Sequence, residues 1–323
     1  MTWWPRRASA FGSAAEKSPS PPDLTKGAIS GVTKAMCSVS DRVRAPGKRL
    51  RLARAPGVFQ LRCLMPRRLG QHFLRPASVE RLLRVIAPAP DDVFLEIGPG
   101  TGALTLPLAA RAARVVAVEI DAALAERLRR RVPPNVEIVV ADALAADLRA
   151  LVPGGSRLAG NLPYYVSSPL LRRFLGLRGH VRDLHVMLQD EVARRVASAP
   201  GSKEYGILSV LYALWADTSL PARFPPAAFS PPPRVSSAVL RARFLDAPRA
   251  EVPDPDGFER FLQKAFARRR RTLENNLRDS YANLKEYLRF LNVMGSRRAE
   301  TLSVVEFAAL WRALRNDPPG ARG

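Results

Sequence analysis

Val93-Phe94-Leu95-Glu96-Ile97-Gly98-Pro99-Gly100-Thr101-Gly102 is the stretch on which the fold turns. Four apolar residues around one acid, stopping at three glycines set two apart, describe a strand that ends in a tight turn. Ala103 to Ala109 then continues as a helix. Outward from this point the pattern repeats. Val115-Val116-Ala117-Val118, Val136 to Val140, Leu158-Ala159-Gly160 and Leu184 to Leu188 are short apolar runs, and stretches at helical spacing such as Val79 to Ile86 and Ala122 to Arg131 lie between them. Continuously apolar strands alternating with helices predict a parallel sheet covered on both faces, which is a doubly wound α/β domain.

At Asp246-Ala247-Pro248 to Pro255 the composition changes to a polar, proline-bearing linker. Beyond it, Phe258 to Arg270, Leu284 to Leu291 and Val304 to Leu314 read as helices, with no strand candidate among them. The expected organisation is an α/β domain over 65–248 followed by a small all-helical domain over 249–323. Residues 1–64 are rich in Arg, Ser, Ala, Pro and Gly without helical or strand period, which predicts a disordered basic extension. Either it is an organellar transit peptide, or Met65 is the true start. The second is favoured because Met65-Pro66-Arg67-Arg68-Leu69-Gly70 opens directly into organised sequence.

The chain of 323 residues carries a formal net charge of +22. Residues 1–64 hold twelve Lys or Arg against three acids, yet more than half of the surplus lies in the rest of the chain. Such a surplus favours a polyanionic partner, since Lys and Arg displace counterions from nucleic-acid phosphates; a codon bias toward Arg, Ala and Pro raises the same number without any ligand. No apolar run is long enough to cross a membrane. Cys37 and Cys63 both lie in the N-terminal segment, and His72, His180 and His185 are the only histidines. No His/Cys cluster has zinc-site spacing, so neither a metal nor a thiol nucleophile is expected.

Gly98, Gly100 and Gly102, preceded by Glu96, form G-x-G-x-G. A dinucleotide fold sets its third glycine one position later, to seat a pyrophosphate at the helix start. This spacing suits a cofactor without phosphate, whose methionine part and adenosine straddle the loop: S-adenosylmethionine. Glu119, ending the next strand, is placed to accept hydrogen bonds from both ribose hydroxyls, and Asp142 after the third strand from the adenine amino group. The bland alternative for each acid is a helix N-cap or loop carboxylate. Three such residues at three successive strand ends favour one site.

Asn161-Leu162-Pro163-Tyr164 follows the fourth strand at the same carboxyl edge. The amino nitrogen of adenine is a poor nucleophile because its lone pair is delocalised into the ring. Two acceptors aimed at its hydrogens, the Asn161 side-chain oxygen and the Leu162 carbonyl, favour a tetrahedral nitrogen whose lone pair points at a sulfonium methyl. Pro163 fixes the turn that presents that carbonyl. Tyr164 stacks on the base, an interaction worth roughly 1 to 3 kcal/mol. The leaving group departs neutral, so positioning supplies much of the catalysis. The alternative is a tight turn with Tyr164 as a core aromatic.

Gly70-Gln71-His72-Phe73-Leu74, EIGPGTG at 96–102, Glu119, Asp142, GNLPYYVSSPLL at 160–171, MLQDEVARR at 187–195, FSPPPRVSSAV at 229–239 and AFARRRRTLENNL at 265–277 follow one another in that order. Across residues 66–315 the series resembles the ribosomal RNA adenine N6-dimethyltransferases of the KsgA type, relatives of the erythromycin-resistance rRNA methylases. The resemblance implies a Rossmann-like methyltransferase domain whose S-adenosylmethionine pocket is formed by Gln71, His72, Leu74, Glu96, Gly98, Gly100, Gly102, Glu119, Asp142 and Asn161. It implies that Phe229 faces Tyr164 across a flipped adenine, and that Arg268, Arg269, Arg270 and Arg271 grip RNA phosphates; a solvated helix face is the alternative for that Arg run. The implied activity is dimethylation of two adjacent adenosines near the 3′ end of small-subunit rRNA during ribosome biogenesis. A monomer in the cytoplasm is expected, or an organellar enzyme if residues 1–64 are a transit peptide. Two other functions remain: a large-subunit methylase conferring macrolide resistance, and a non-catalytic nucleic-acid-binding assembly or transcription factor. The NLPY form and Pro231-Pro232-Pro233 favour the small-subunit enzyme. Three departures from the family pattern bear on RNA contacts: Pro76 in place of Asp, Asp190 in place of a basic residue, and Glu274 where Arg or Lys is common.

Overall fold

The computed structural model of the chain describes residues 72–315. The expectations for residues 1–64, Met65, Gly70 and Gln71 lie outside the described residues. Strand β1 (Phe73–Leu74) leads into α1 (Pro76–Ile86), and then follow β2 (Val93–Ile97), α2 (Thr105–Ala109), β3 (Arg114–Glu119), α3 (Ala122–Arg129), β4 (Val136–Val140), β5 (Ser156–Asn161), α4 (Ser167–Leu175) and β6 (Val181–Gln189). The chain continues through α5 (Asp190–Val196), α6 (Ile207–Trp215), β7 (Ala216–Phe224), β8 (Phe229–Ser230) and β9 (Ser237–Phe244). It ends in α7 (Pro255–Ala265), α8 (Leu273–Leu277), α9 (Leu284–Phe290) and α10 (Val304–Leu314).

Seven strands form one sheet in the order β4-β3-β2-β5-β6-β9-β7. Strands β4, β3, β2, β5 and β6 are parallel, as their continuously apolar sequences predict. Here the sheet corrects the all-parallel expectation, because β9 runs antiparallel to both β6 and β7. No crossover helix joins β7 to β9, so the two pair as a long hairpin. Strand β7 is masked in the sequence by Pro221, which falls in the register shift between Ser219 and Ala222 on an edge where no ladder partner is forgone. A separate two-stranded ladder pairs Leu74 of β1 with Phe229 of β8.

Alternate residues of each central strand feed opposite faces, as a period of two requires. Phe94, Val115, Ala159, Met187 and Val239 pack with α1 and α2, while Leu95, Val116, Leu158, Val186 and Leu240 pack on the other face with α4 and α6. The second cluster runs on without a break into Phe258, Phe261, Phe307 and Leu310 of α7 and α10.

The helical segment differs from expectation at one functional point. Helix α7 stops at Ala265 rather than Arg270. Asn276 Nδ2 donates to the carbonyls of Ala265 (2.8 Å) and Arg268 (3.1 Å), which a further helical turn would have engaged. Thr272 Oγ1 accepts from the Asn275 N–H at 3.2 Å and starts α8. Arg268 to Arg271 therefore occupy the turn between two helices and not a helix face.

Candidate functional site

The neighbouring strands β4, β3, β2 and β5 end along one carboxyl edge, and the order of connection reverses between β2 and β5. Ligands of doubly wound sheets bind at such a switch point. Gly98, Gly100 and Gly102 all have positive φ, at 71°, 56° and 86°. Side chains there would be strained as well as obstructive: a Cβ on Gly100 would sit 3.2 Å from the Phe73 ring and one on Gly102 2.4 Å from Leu128 Cδ1. The Gly100 N–H donates to Glu119 Oε2 at 3.0 Å, and the Asp121 N–H to Glu119 Oε1 at 3.0 Å. Each Glu119 oxygen keeps a lone pair beyond these bonds. Asp142 is exposed, and its Oδ1 accepts from the Leu144 N–H at 2.8 Å. The glycine loop, Glu119 and Asp142 thus line one rim, with acceptor lone pairs that suit the hydroxyl and amino donors of an adenosine.

Glu96 lies beneath that rim, 1% exposed. Burial pushes its carboxyl up to about 8, with the Thr105 hydroxyl lowering it and the Glu119 charge raising it. Glu96 Oε2 and Thr105 Oγ1 have no partner in hydrogen-bonding geometry among the described residues.

Asn161 ends β5 next to the glycine loop, and a Cβ on Gly98 would meet the Asn161 carbonyl at 3.9 Å. Its Nδ2 donates to the His72 carbonyl at 2.9 Å, which leaves Oδ1 free as an acceptor. The Leu162 N–H donates to Met187 O at 3.1 Å, whereas the Leu162 carbonyl accepts no hydrogen bond among the described residues. Pro163 caps a single 3-10 turn, Tyr164–Val166. Half-buried Tyr164 holds its hydroxyl 2.7 Å from Ser237 Oγ, and burial raises its pKa against the lowering effect of that bond.

Two residues sit differently from expectation. Phe229, which the resemblance sets across from Tyr164, is fully buried and clustered with Leu74, Leu82 and Phe94. The ring contact of Tyr164 is with His72, centroids 5.8 Å apart at 30°. His72 Nδ1 also donates to the Pro231 carbonyl at 2.8 Å, so one histidine ties together β1, the Tyr164 turn and the proline loop. Leu74 faces the core. Sequence reasoning missed Ile120 and Val140, exposed apolar residues near Glu119 and Asp142 in the chain; the signal was an apolar residue directly after Glu119 and another two positions before Asp142.

The departures from the family pattern have structural roles. Pro76 occupies the first turn of α1, where its missing N–H costs nothing. Asp190 pairs with Arg194 (2.6 Å) and Arg223, and the Arg223 hydrogen bond pulls its carboxyl down. Glu274 lies 3.7 Å from Lys285. In the α7–α8 turn, Arg269 Nη2 donates to the carbonyls of Lys203 (2.5 Å) and Tyr205 (3.1 Å). Arg268, Arg270 and Arg271 are exposed without an ion pair among the described residues, and the four together line an open concavity.

Residues 64–315 match the family model described as ribosomal RNA adenine dimethylase. The chain belongs to this family. Among curated relatives, the ribosomal RNA small subunit methyltransferase A of Geobacter metallireducens is 46% identical over 258 residues, covering 76% of this chain and 94% of the relative. The protein of that name from Moorella thermoacetica is 38% identical over 295 residues, covering 85% and 100%. Among solved structures, a dimethyladenosine transferase from Plasmodium falciparum shares the fold with a TM-score of 0.61 at 21% identity, over 75% of this chain and 97% of that one. The 23S rRNA methyltransferase ErmE has a TM-score of 0.59 at 26% identity, over 76% and 100%. As a ribosomal RNA adenine dimethylase, the protein is an enzyme whose cofactor is S-adenosylmethionine.

Proposed function

We propose that this enzyme dimethylates two adjacent adenosines near the 3′ end of small-subunit rRNA, acting as a monomer in the cytoplasm during ribosome biogenesis. The observation that carries the chemistry is the pair of free acceptors, Asn161 Oδ1 and the Leu162 carbonyl, at one strand end. S-adenosylmethionine supplies an electrophilic methyl group. Because Asn161 Nδ2 donates to the His72 carbonyl, the amide orientation is fixed and Oδ1 is the acceptor it offers an adenine amino group. With the Leu162 carbonyl it takes both amino hydrogens, draws the lone pair out of the ring and aims it toward the glycine loop. After one transfer the methylated nitrogen sheds one proton to water, and the remaining N–H with one acceptor still orients it for the second. Tyr164 stacks on the extruded base, its neutral hydroxyl anchored at Ser237.

On the cofactor side, Glu119 accepts from the ribose, Asp142 from the adenine amino group, and Ile120 and Val140 wall the ring. His72, Leu74, Glu96, Gly98, Gly100 and Gly102 complete the pocket, together with Gln71. Phe229 serves through β8, which holds β1 and therefore His72 in place. The helical segment 249–323 is the RNA-gripping part, with Arg268, Arg270 and Arg271 on phosphates. The small-subunit assignment is supported by the names of the most similar relatives and by the extent of the match.

The test is transfer of label from S-adenosylmethionine by the full chain to unmethylated small or large ribosomal subunits. Label is expected in adenines of the small subunit, and Asn161→Ala is expected to abolish transfer while RNA binding persists. Undiminished methylation by that variant, or label confined to large subunits, would reject the proposal.

A further inference from the structure

Seven large apolar or aromatic side chains are exposed among the described residues, and four of them gather at the carboxyl edge of the sheet. Ile120 and Val140 belong to the cofactor side just described. Tyr165 (56% exposed) and Val235 (45%) lie on the Asn161 side of that edge, in the segments after β5 and before β9. Tyr165 sits in the 3-10 turn directly after Tyr164; Val235 lies in the loop that feeds β9, two residues before Ser237. The two segments are fastened to each other by the Tyr164–Ser237 hydrogen bond and by His72, which stacks on Tyr164 and donates to Pro231. This rim is rigid. Tyr165 nevertheless makes no ring contact and no hydrogen bond among the described residues, and the exposed guanidinium of Arg234 next to Val235 has no ion pair there. A pinned turn that presents an unpartnered aromatic ring, tied to a loop that carries an unpaired cation, matches how single-stranded nucleic acid is held, with the base on the ring and the phosphate on the charge.

We propose that Tyr165, in the turn tied to the loop of Arg234 and Val235, is the stacking platform for the nucleotide next to the adenine being methylated. The inference rests on an RNA adenine being the substrate. Extruding the target exposes one face of its neighbour to water. A second aromatic, one residue from the one that receives the target, covers that face and holds the strand in register. Tyr165 is a specificity-determining contact outside the reacting centre.

The experiment compares kcat and KM on unmethylated small ribosomal subunits for the wild-type chain, Tyr165→Ala and Tyr165→Phe, with S-adenosylmethionine affinity measured separately by calorimetry. Loss of one stacked base raises KM about tenfold in Tyr165→Ala. Its kcat and cofactor affinity stay close to wild type, and Tyr165→Phe behaves as wild type because stacking needs the ring and not the hydroxyl. An unchanged KM in Tyr165→Ala, or a Phe variant as impaired as the Ala variant, overturns the proposal. Failure of the small-subunit assignment looks different, since the wild type then leaves small subunits unlabelled. In that event Tyr165→Trp fluorescence, corrected for the wild-type signal and titrated with single-stranded oligoadenylate, still decides. Quenching supports the platform, and its absence overturns it.

Discussion

Glu96 shows most directly how a single residue couples this fold to its solution conditions. Burial keeps its carboxyl protonated up to about pH 8, against an ordinary value of 4.5 in the unfolded chain. Between those values the folded protein holds a proton that the unfolded chain has released. The stability contributed by the neutral carboxyl is therefore complete below pH 4.5 and lost as pH rises through about 8. Glu96→Gln, similar in shape and never charged, is expected to match wild type near the acidic end. It should exceed wild type by roughly 3 to 5 kcal/mol above the upper value, seen as Tm curves that diverge with pH. Parallel Tm curves would show that Glu96 ionises freely. Asp190 works in the opposite sense: its pKa is lowered by Arg223, so its contribution is lost as pH falls. In the sequence Glu96 is legible as the acid that ends a strand. Its protonation is not, because the dry surroundings, Thr105 and Glu119 arrive from α2 and β3.

At the scale of elements, the close approach of β2 to β5 depends on Gly160. A Cβ there would lie 2.6 Å from the Ile97 carbonyl oxygen, a backbone atom with nowhere to retreat. Gly160→Ala is expected to cost roughly 2 kcal/mol or more, read as a lower denaturant midpoint. The α7–α8 turn separates two kinds of arginine that look identical in Arg268-Arg269-Arg270-Arg271. Replacing Arg268, Arg270 and Arg271 by Ala should weaken RNA binding and flatten its salt dependence, by about 0.7 to 0.9 in log–log slope for each phosphate no longer neutralised. Arg269→Ala should instead lower Tm, with roughly 0.5 to 1.5 kcal/mol of stability lost, because its hydrogen bonds to the loop before α6 are gone. A salt slope unchanged in the triple variant would remove the turn from the RNA interface. The sequence shows this positive run plainly, but the helix end that places it in a turn is made by Asn276, eight residues beyond Arg268.

At the scale of the whole sheet, the buried Arg157 cluster and the candidate chemistry occupy opposite edges. At the amino edge, Arg157 reaches Asp92 (2.7 Å), Asp183 (2.9 Å) and the carbonyls of Ile86 (2.7 Å) and Ala87 (3.1 Å). Arg157→Ala leaves the buried Asp92 carboxylate with only Arg182 and the Ala89 N–H, and takes the donor from the Ile86 and Ala87 carbonyls; it is expected to cost roughly 1 to 3 kcal/mol, while transfer per folded molecule is unchanged at temperatures below its lowered Tm. Loss of methyl transfer at full folding would tie this cluster to the site. By itself the sequence determined the α/β class, the glycine turn, and which acid follows which strand. Strand burial, glycine spacing and the order of residues along the chain are local properties, visible without knowing what packs where. Only the tertiary structure decided that β9 enters antiparallel, that Phe229 is buried while His72 meets Tyr164, and that Arg269 is a tether among exposed, unpaired neighbours. Each of those outcomes depends on partners remote in sequence, as when His72 and Pro231 meet across 159 positions; such meetings are set by packing, which no local pattern encodes.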